Sequence, residues 1–298
     1  THFDYCFLNM RIEIMSHRAD FFVAAQRILP KHALSRMIGR LAESKRPWLK
    51  NILIKRAITA FNINMQEAQS DSLDDYESFN AFFTRALKEG ARPIDLGRDS
   101  VACPADGVVS QAGNISENKI LQAKGIDYSV SRILGKSTEA NRYKDGSFAT
   151  IYLSPKDYHR VHMPVTGKLL RTRYIPGELF SVNDLTAQSL NGLFARNERL
   201  VCEFESDLAG QFSVIFVGAM LVAGIETIWG GFEQPGPGAV RENVFSDQSL
   251  IYTKGDEIGR FKFGSTIILL FEKDAVSGLD TLLPQTAISM GEGIATLR

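Results

Sequence analysis

The chain has 298 residues, 44% hydrophobic and 23% charged, so it can bury a sizeable core as one large domain or one domain with an appendage, and it is not a disordered chain. Its three cysteines, Cys6, Cys103 and Cys202, are too few and too scattered for a disulfide framework or a zinc site, which suits a reducing cytosolic setting. The 34 basic and 34 acidic side chains cancel, yet Met15 to Ala60 carries 10 Lys or Arg against only Asp20 and Glu43, which makes a basic arm on an acidic body.

Residues 1–14 lack the basic n-region and small-residue cleavage site of a secretory signal and read as sequence placed ahead of Met15. Residues 15–70 form the arm. Three helical patterns fill it: Phe21, Ala25 and Ile28; then Leu34, Met37, Ile38 and Leu41; then Ile54, Ala57, Ile58 and Phe61, with Pro30 and Pro47 as punctuation. Arg36, Arg40, Lys45, Arg46 and other basic residues are interleaved with apolar ones. That composition fits helices lying in an anionic bilayer interface, and it equally fits helices that pack on the body with solvated charges. No nucleic-acid motif accompanies the charge, so no nucleic-acid partner is expected.

Residues 71–298 form the body. Residues 71–88 read as a helix with Phe79, Phe82, Phe83 and Leu87 on one stripe. From about Val101 short apolar or alternating runs separated by turn residues take over: Gly107–Gln111, Phe148–Leu153, Lys168–Tyr174, Leu200–Phe204, Phe212–Val217, Ser249–Tyr252 and Thr266–Phe271. The fold class is therefore α+β, with N-terminal amphipathic helices before a mainly antiparallel β body, sandwich or barrel-like. Gly230 to Gly238 is expected to be an exposed loop. The longest apolar run, Val214 to Ile225, is well short of the roughly 20 residues that span a bilayer, and no transmembrane helix is expected.

The body holds two histidines, His159 and His162. Ser154-Pro155-Lys156-Asp157 reads as an N-cap, a proline at N1 and an acid at N3, a short helical turn on which the two histidines would share a face. They have no Cys, Asp or Glu at ligand spacing, so no metal site is expected. Pro104-Ala105-Asp106-Gly107 is an acid in a tight turn, and Gly264-Ser265 is a turn opening an apolar strand. An acid, a histidine and a serine are the parts of a nucleophile, base and orienter set. Ser265 has no Gly-x-Ser-x-Gly elbow, and no Walker or dinucleotide fingerprint occurs.

Six stretches, in order, resemble the bacterial phosphatidylserine decarboxylases, a pyruvoyl-dependent proenzyme family, across about Ile28 to Met290. They are Phe79–Phe83, Pro104–Gly107, Tyr158–Pro164, Pro176–Asn183, Phe194–Arg199 and Gly259–Thr266. The family's usual Leu-Gly-Ser-Thr is here Phe263-Gly264-Ser265-Thr266, an apolar exchange that bears on the rate of cleavage. The resemblance implies that Ser265 attacks the Gly264 carbonyl with His162 as base and Asp106 orienting it. The chain is then cut into 1–264 and 265–298, and Ser265 becomes a covalent pyruvoyl cofactor. That cofactor would form a Schiff base with phosphatidylserine, and His159 is implicated in the decarboxylation that yields phosphatidylethanolamine. The resemblance further implies a homodimer and a peripheral place on the cytoplasmic face of the inner membrane. Phe21, Phe22 and Trp48 are then candidate anchors on an anionic surface. Three alternatives stand beside it: a Ser-His-Asp hydrolase without self-cleavage, a non-catalytic lipid-binding module that uses the arm, and a pyruvoyl enzyme acting on a soluble amino acid.

Overall fold

The computed structural model describes residues 24, 26, 29–123, 125–220, 224–233, 238–245, 250–262 and 265–298. Residues 1–14, Phe21, Phe22, Phe263 and Gly264, all named above, lie outside the described residues.

The second and third helical patterns form α1 (Lys31–Ala42) and α2 (Pro47–Phe61), the latter starting on Pro47 and ending at Asn62 in the left-handed region. Their packing departs from the apolar-face-inward rule. In α1 the face turned inward is Lys31, Ser35, Gly39 and Ala42, and Met37 and Leu41 are left exposed. In α2 Lys50, Ile54 and Ala57 are buried, with Trp48, Ile52 and Phe61 exposed. The two buried lysines are compensated. Lys31 meets the Glu178 carboxylate at 2.9 Å and the Phe180 ring at 4.1 Å, and Lys50 donates to the carbonyls of Leu73 and Tyr76, each at 2.7 Å. Among the described residues no helix is long and apolar enough to cross a membrane.

The helix expected over 71–88 shortens to α3 (Phe79–Phe83), capped by Ser78, whose Oγ accepts from the Ala81 N–H at 3.2 Å. Phe79, Phe82 and Phe83 are needed in a tertiary cluster with Tyr76 and with Ile54, Ala57 and Ile63 of the arm. Beyond Thr84 the chain turns away to bury Arg85, and Leu87 pairs with Ala68 in an isolated bridge. Tertiary packing thus overrides the helical spacing.

Six long strands follow: β1 (Gly107–Asn114), β2 (Ser147–Leu153), β3 (Gly167–Ile175), β4 (Arg199–Ser206), β5 (Gly210–Val217) and β6 (Ser265–Phe271). They match the runs read from the sequence to within a few residues. They form one antiparallel sheet in the order β3, β4, β5, β6, β2, β1, extended by shorter strands, and it does not close into a barrel. A four-stranded sheet, which includes Arg160–His162, Ile225–Thr227 and Glu257–Phe261, contributes Val161, Ile225, Ile258 and Phe261 to a core shared with Phe216, Ile267 and Leu269 of the large sheet. The other face of the large sheet carries a second core, in which Ile268 and Leu270 meet Ile133, Phe148 and Ile215.

β6 is therefore buried on both faces, which is why its sequence is a continuous apolar run and not an alternating one. Each such side chain contributes about 1.5–3 kcal/mol on burial. Its register is fixed on two sides, Ser265 to Phe271 against Leu153 to Ser147 of β2 and Thr266 to Phe271 against Val217 to Phe212 of β5. Within the expected Gly230–Gly238 loop, Gly231–Glu233 forms a short strand at the edge of the smaller sheet, paired with Ile225–Thr227.

Candidate active site

Ser265 is the first residue of β6, at the point where the chain passes from the smaller sheet, through strand Glu257–Phe261, into the centre of the larger one. Its side chain is fully buried, and Oγ has no hydrogen-bond partner among the described residues. A buried hydroxyl left unpaired costs about 1–3 kcal/mol, and those of Ser35 and Thr266 share this condition among the described residues.

The Ser154–Asp157 segment is a turn and not the start of a helix. Asp157 Oδ2 accepts from both N–H and Oγ of Ser154 at 2.7 Å, and the Asp157 N–H donates back to the Ser154 carbonyl at 3.0 Å. The next residues enter strand Arg160–His162, so the shared helical face expected for His159 and His162 is not formed. The back-bond of the acid to the Ser154 N–H is compatible with a helix start, but strand pairing with Glu257–Phe261 takes the backbone extended from Arg160. The two imidazoles consequently sit in different surroundings.

His159 is fully buried and stacked on Phe83, with ring centroids 4.1 Å apart. Neither ring nitrogen has a hydrogen-bond partner among the described residues, although the ring borders the backbone of Ser154 and Pro155. Burial, helped by the nearby Arg85 charge, pushes its pKa down to about 3. It is tied to both segments that lead to Ser265. Its carbonyl accepts from the Phe261 N–H at 3.0 Å, and the turn it borders continues from Leu153, the register partner of Ser265.

His162 is oriented at both nitrogens: Nδ1 lies 2.8 Å from the Gly255 carbonyl and Nε2 lies 3.0 Å from Tyr158 Oη. A carbonyl can only accept, so Nδ1 carries the proton, Tyr158 donates, and Nε2 holds the lone pair that a general base needs. Burial lowers the pKa of this imidazole, which keeps it in the basic form at neutral pH.

Asp106 lies on a buried turn that touches His162 through the backbone, the His162 N–H donating to the Pro104 carbonyl at 2.8 Å. Gly107 is required there, because a Cβ would stand 2.3 Å from the Tyr152 carbonyl oxygen. The expected Asp106 to His162 hydrogen bond is not formed. Arg92 takes the carboxylate with Nε at 2.9 Å from Oδ1 and Nη2 at 2.7 Å from Oδ2, and the Met290 N–H donates to Oδ1 at 2.8 Å. A planar guanidinium satisfies both oxygens at once, which a single imidazole N–H does not. In this arrangement Gly255 and Tyr158, not Asp106, orient the histidine. Sequence reading missed Arg92, Tyr158 and Gly255. Only Tyr158 left a trace, in the stretch Tyr158–Pro164.

Among the described residues no group of three or more His, Cys, Asp or Glu could hold a metal ion. The residues present fit a self-generated carbonyl cofactor at position 265: a buried hydroxyl at the head of the central strand and a buried imidazole bordering the turn that follows the facing strand, both without a hydrogen-bond partner among the described residues.

Comparison with known proteins gives one answer. Residues 79–296 match the family described as phosphatidylserine decarboxylase, and residues 21–62 match a family described as PSD. A phosphatidylserine decarboxylase proenzyme of Saccharophagus degradans is 48% identical over 281 residues, covering 94% of this chain and 98% of the relative. Proteins of the same name from Hahella chejuensis and Acinetobacter baylyi are each 47% identical, over 93% and 92% of this chain and 93% and 95% of their own lengths.

Proposed function

The chain belongs to the phosphatidylserine decarboxylase family, and from that premise we propose that it is a proenzyme that cuts itself before Ser265 and then decarboxylates phosphatidylserine to phosphatidylethanolamine. The observation that supports the first half is the Ser265 hydroxyl, fully buried at the head of β6 and without a hydrogen-bond partner among the described residues. So enclosed a nucleophile is suited to its own backbone and poorly suited to an external ester, which disfavours the hydrolase alternative.

In the structure His162 and Ser265 share no hydrogen bond, and the proposed steps bring them together. His162 Nε2 exchanges the Tyr158 hydroxyl for that of Ser265 and takes its proton, and Oγ attacks the Gly264 carbonyl, turning the amide into an ester. Elimination across Ser265 frees Gly264 as a carboxylate, and hydrolysis with loss of ammonia leaves a pyruvoyl group on the new chain 265–298. That group supplies a ketone that condenses with the substrate amine and an adjoining carbonyl that takes up the electron pair as carbon dioxide leaves. His159, within the same buried region, returns a proton to the carbon that lost its carboxyl group. Burial holds it neutral in the resting protein, so its protonation depends on negative charge brought by the anionic lipid headgroup.

The arm brings this site to the lipid. Met37 and Leu41 line an open groove with Arg36, Arg40 and Arg46, and Trp48 stands exposed nearby, a surface suited to the interface of an anionic bilayer on the cytoplasmic side. Intact-mass measurement tests the reading. The active protein should give two chains, the smaller of 34 residues with a blocked N-terminus, and Ser265→Ala should give one inactive chain. A single full-length chain in an active preparation would sink it.

A further inference from the structure

A pocket of about 260 Å³ opens where the end of the arm meets the body. Asn62 and Asn64, just beyond α2, line it together with Arg85, Lys156, Asp106 and Tyr158. It thus shares Asp106 and Tyr158 with the site around His162.

The carboxylates in its wall are already engaged. Glu67 and Asp106 are both paired with Arg92, and Asp157 is closed on Ser154. Arg85 is held more loosely. It is 4% exposed, and its guanidinium lies 5.5 Å from the Phe82 ring centroid with Asp106, Glu67 and Asp157 bearing on its charge. Nη2 makes one long bond of 3.3 Å to the Lys156 carbonyl, and Nε and Nη1 have no hydrogen-bond partner among the described residues. A guanidinium buried with most of its donors unused is a costly arrangement unless an anion enters beside it.

We propose that Arg85 is the receptor for the phosphodiester of the lipid headgroup, an assignment that rests on the reading of the chain as a phosphatidylserine decarboxylase. The substrate offers two anions, and the chemistry separates them. The carboxylate loses its charge as carbon dioxide forms, so an arginine clamped on it would stabilise the ground state more than the transition state and slow the reaction. The phosphodiester keeps its charge throughout, and holding it anchors the headgroup at no such cost. The position fits as well: Lys156, whose carbonyl Arg85 touches, belongs to the turn whose Ser154 and Pro155 backbone borders His159. A phosphodiester held here hands its serine moiety towards that histidine, and Asn62 and Asn64 place the mouth of the pocket beside the lipid-facing arm.

The test compares wild type, Arg85→Gln, Arg85→Lys and Asn62→Asp on phosphatidylserine in mixed micelles, with self-cleavage followed by intact mass. Arg85→Gln should be cleaved yet raise KM about tenfold or more with a much smaller change in kcat, and Arg85→Lys should recover part of the loss. Asn62→Asp, an exposed change that adds negative charge at the mouth, should raise KM about threefold, and it decides the matter if Arg85→Gln does not fold. Inorganic phosphate should inhibit wild type competitively and Arg85→Gln weakly, whereas free serine should act on both alike. A phosphate-insensitive wild type, an unchanged KM, or a variant that loses serine inhibition while keeping phosphate inhibition would overturn the assignment. Absence of cleavage in active wild type would instead overturn the pyruvoyl reading.

Discussion

Replacing His159 by leucine should remove a specific acid sensitivity from the fold. The imidazole is fully buried, neither nitrogen has a hydrogen-bond partner among the described residues, and its pKa falls from the ordinary 6.5 to about 3. The unfolded chain therefore takes up this proton before the folded one does. The penalty is absent above about pH 6.5, grows by about 1.4 kcal/mol per pH unit below it, and levels off near pH 3. Between about pH 7 and about pH 4 the parent should lose roughly 3 kcal/mol more stability than His159→Leu, because only the stretch below 6.5 counts. Urea unfolding of both, in an uncleavable Ser265→Ala chain so that a single polypeptide unfolds, measures the difference and cancels the shared carboxylate titrations. Leucine keeps the contact with Phe83 and adds no polar group to the interior, so the variant should also fold at neutral pH. Parallel stability profiles for the two chains would refute the argument.

Two further outcomes follow from the site and the arm. Arg92→Ala strips Asp106 of its paired cation while leaving the carboxylate buried, and should cost roughly 3–5 kcal/mol and lower Tm, with Arg92→Lys recovering only part because an ammonium lacks the two-pronged fit; an unshifted melting curve would show that the pair contributes nothing. Arg36→Glu with Arg40→Glu should weaken sedimentation with phosphatidylglycerol vesicles about tenfold or more at low salt and leave phosphatidylcholine vesicles unaffected; equal losses on both would point to an uncharged contact.

The β body was legible in the sequence wherever burial alone decides the pattern. Thr266 to Phe271 read as a core strand because both of its faces are buried, and Lys168–Tyr174 and Leu200–Phe204 were recovered to within a few residues of β3 and β4. Legibility failed where a distant partner intervenes. Phe79, Phe82 and Phe83 carry helical spacing, but the chain leaves the helix at Thr84 to deliver Arg85 to the interior, and nothing local marks that arginine as buried. Ser154-Pro155-Lys156-Asp157 has the letters of a helix start, and the same aspartate instead closes a turn. The residues Asp106, His159, His162 and Ser265 could be picked out by type and motif. The pairing of Asp106 with Arg92, and of His162 with Gly255 and Tyr158, is set by tertiary packing that local spacing does not encode.

The placement of β6 between β2 and β5 has a further consequence for the life history of the protein. Residues 265–298 supply that strand and also Gly293–Leu297, the middle strand of a three-stranded sheet, so the segment is woven into two sheets. If the backbone is opened before Ser265 as proposed, those ladders would hold two separate chains in one fold. Native structure then coexists with an unfolded state that has gained a free particle, and its midpoint of unfolding should depend on protein concentration, as for a dimer. With the proposed cut, folding would be first order for the single chain and second order for the two pieces, which would recover from denaturation only by a bimolecular encounter.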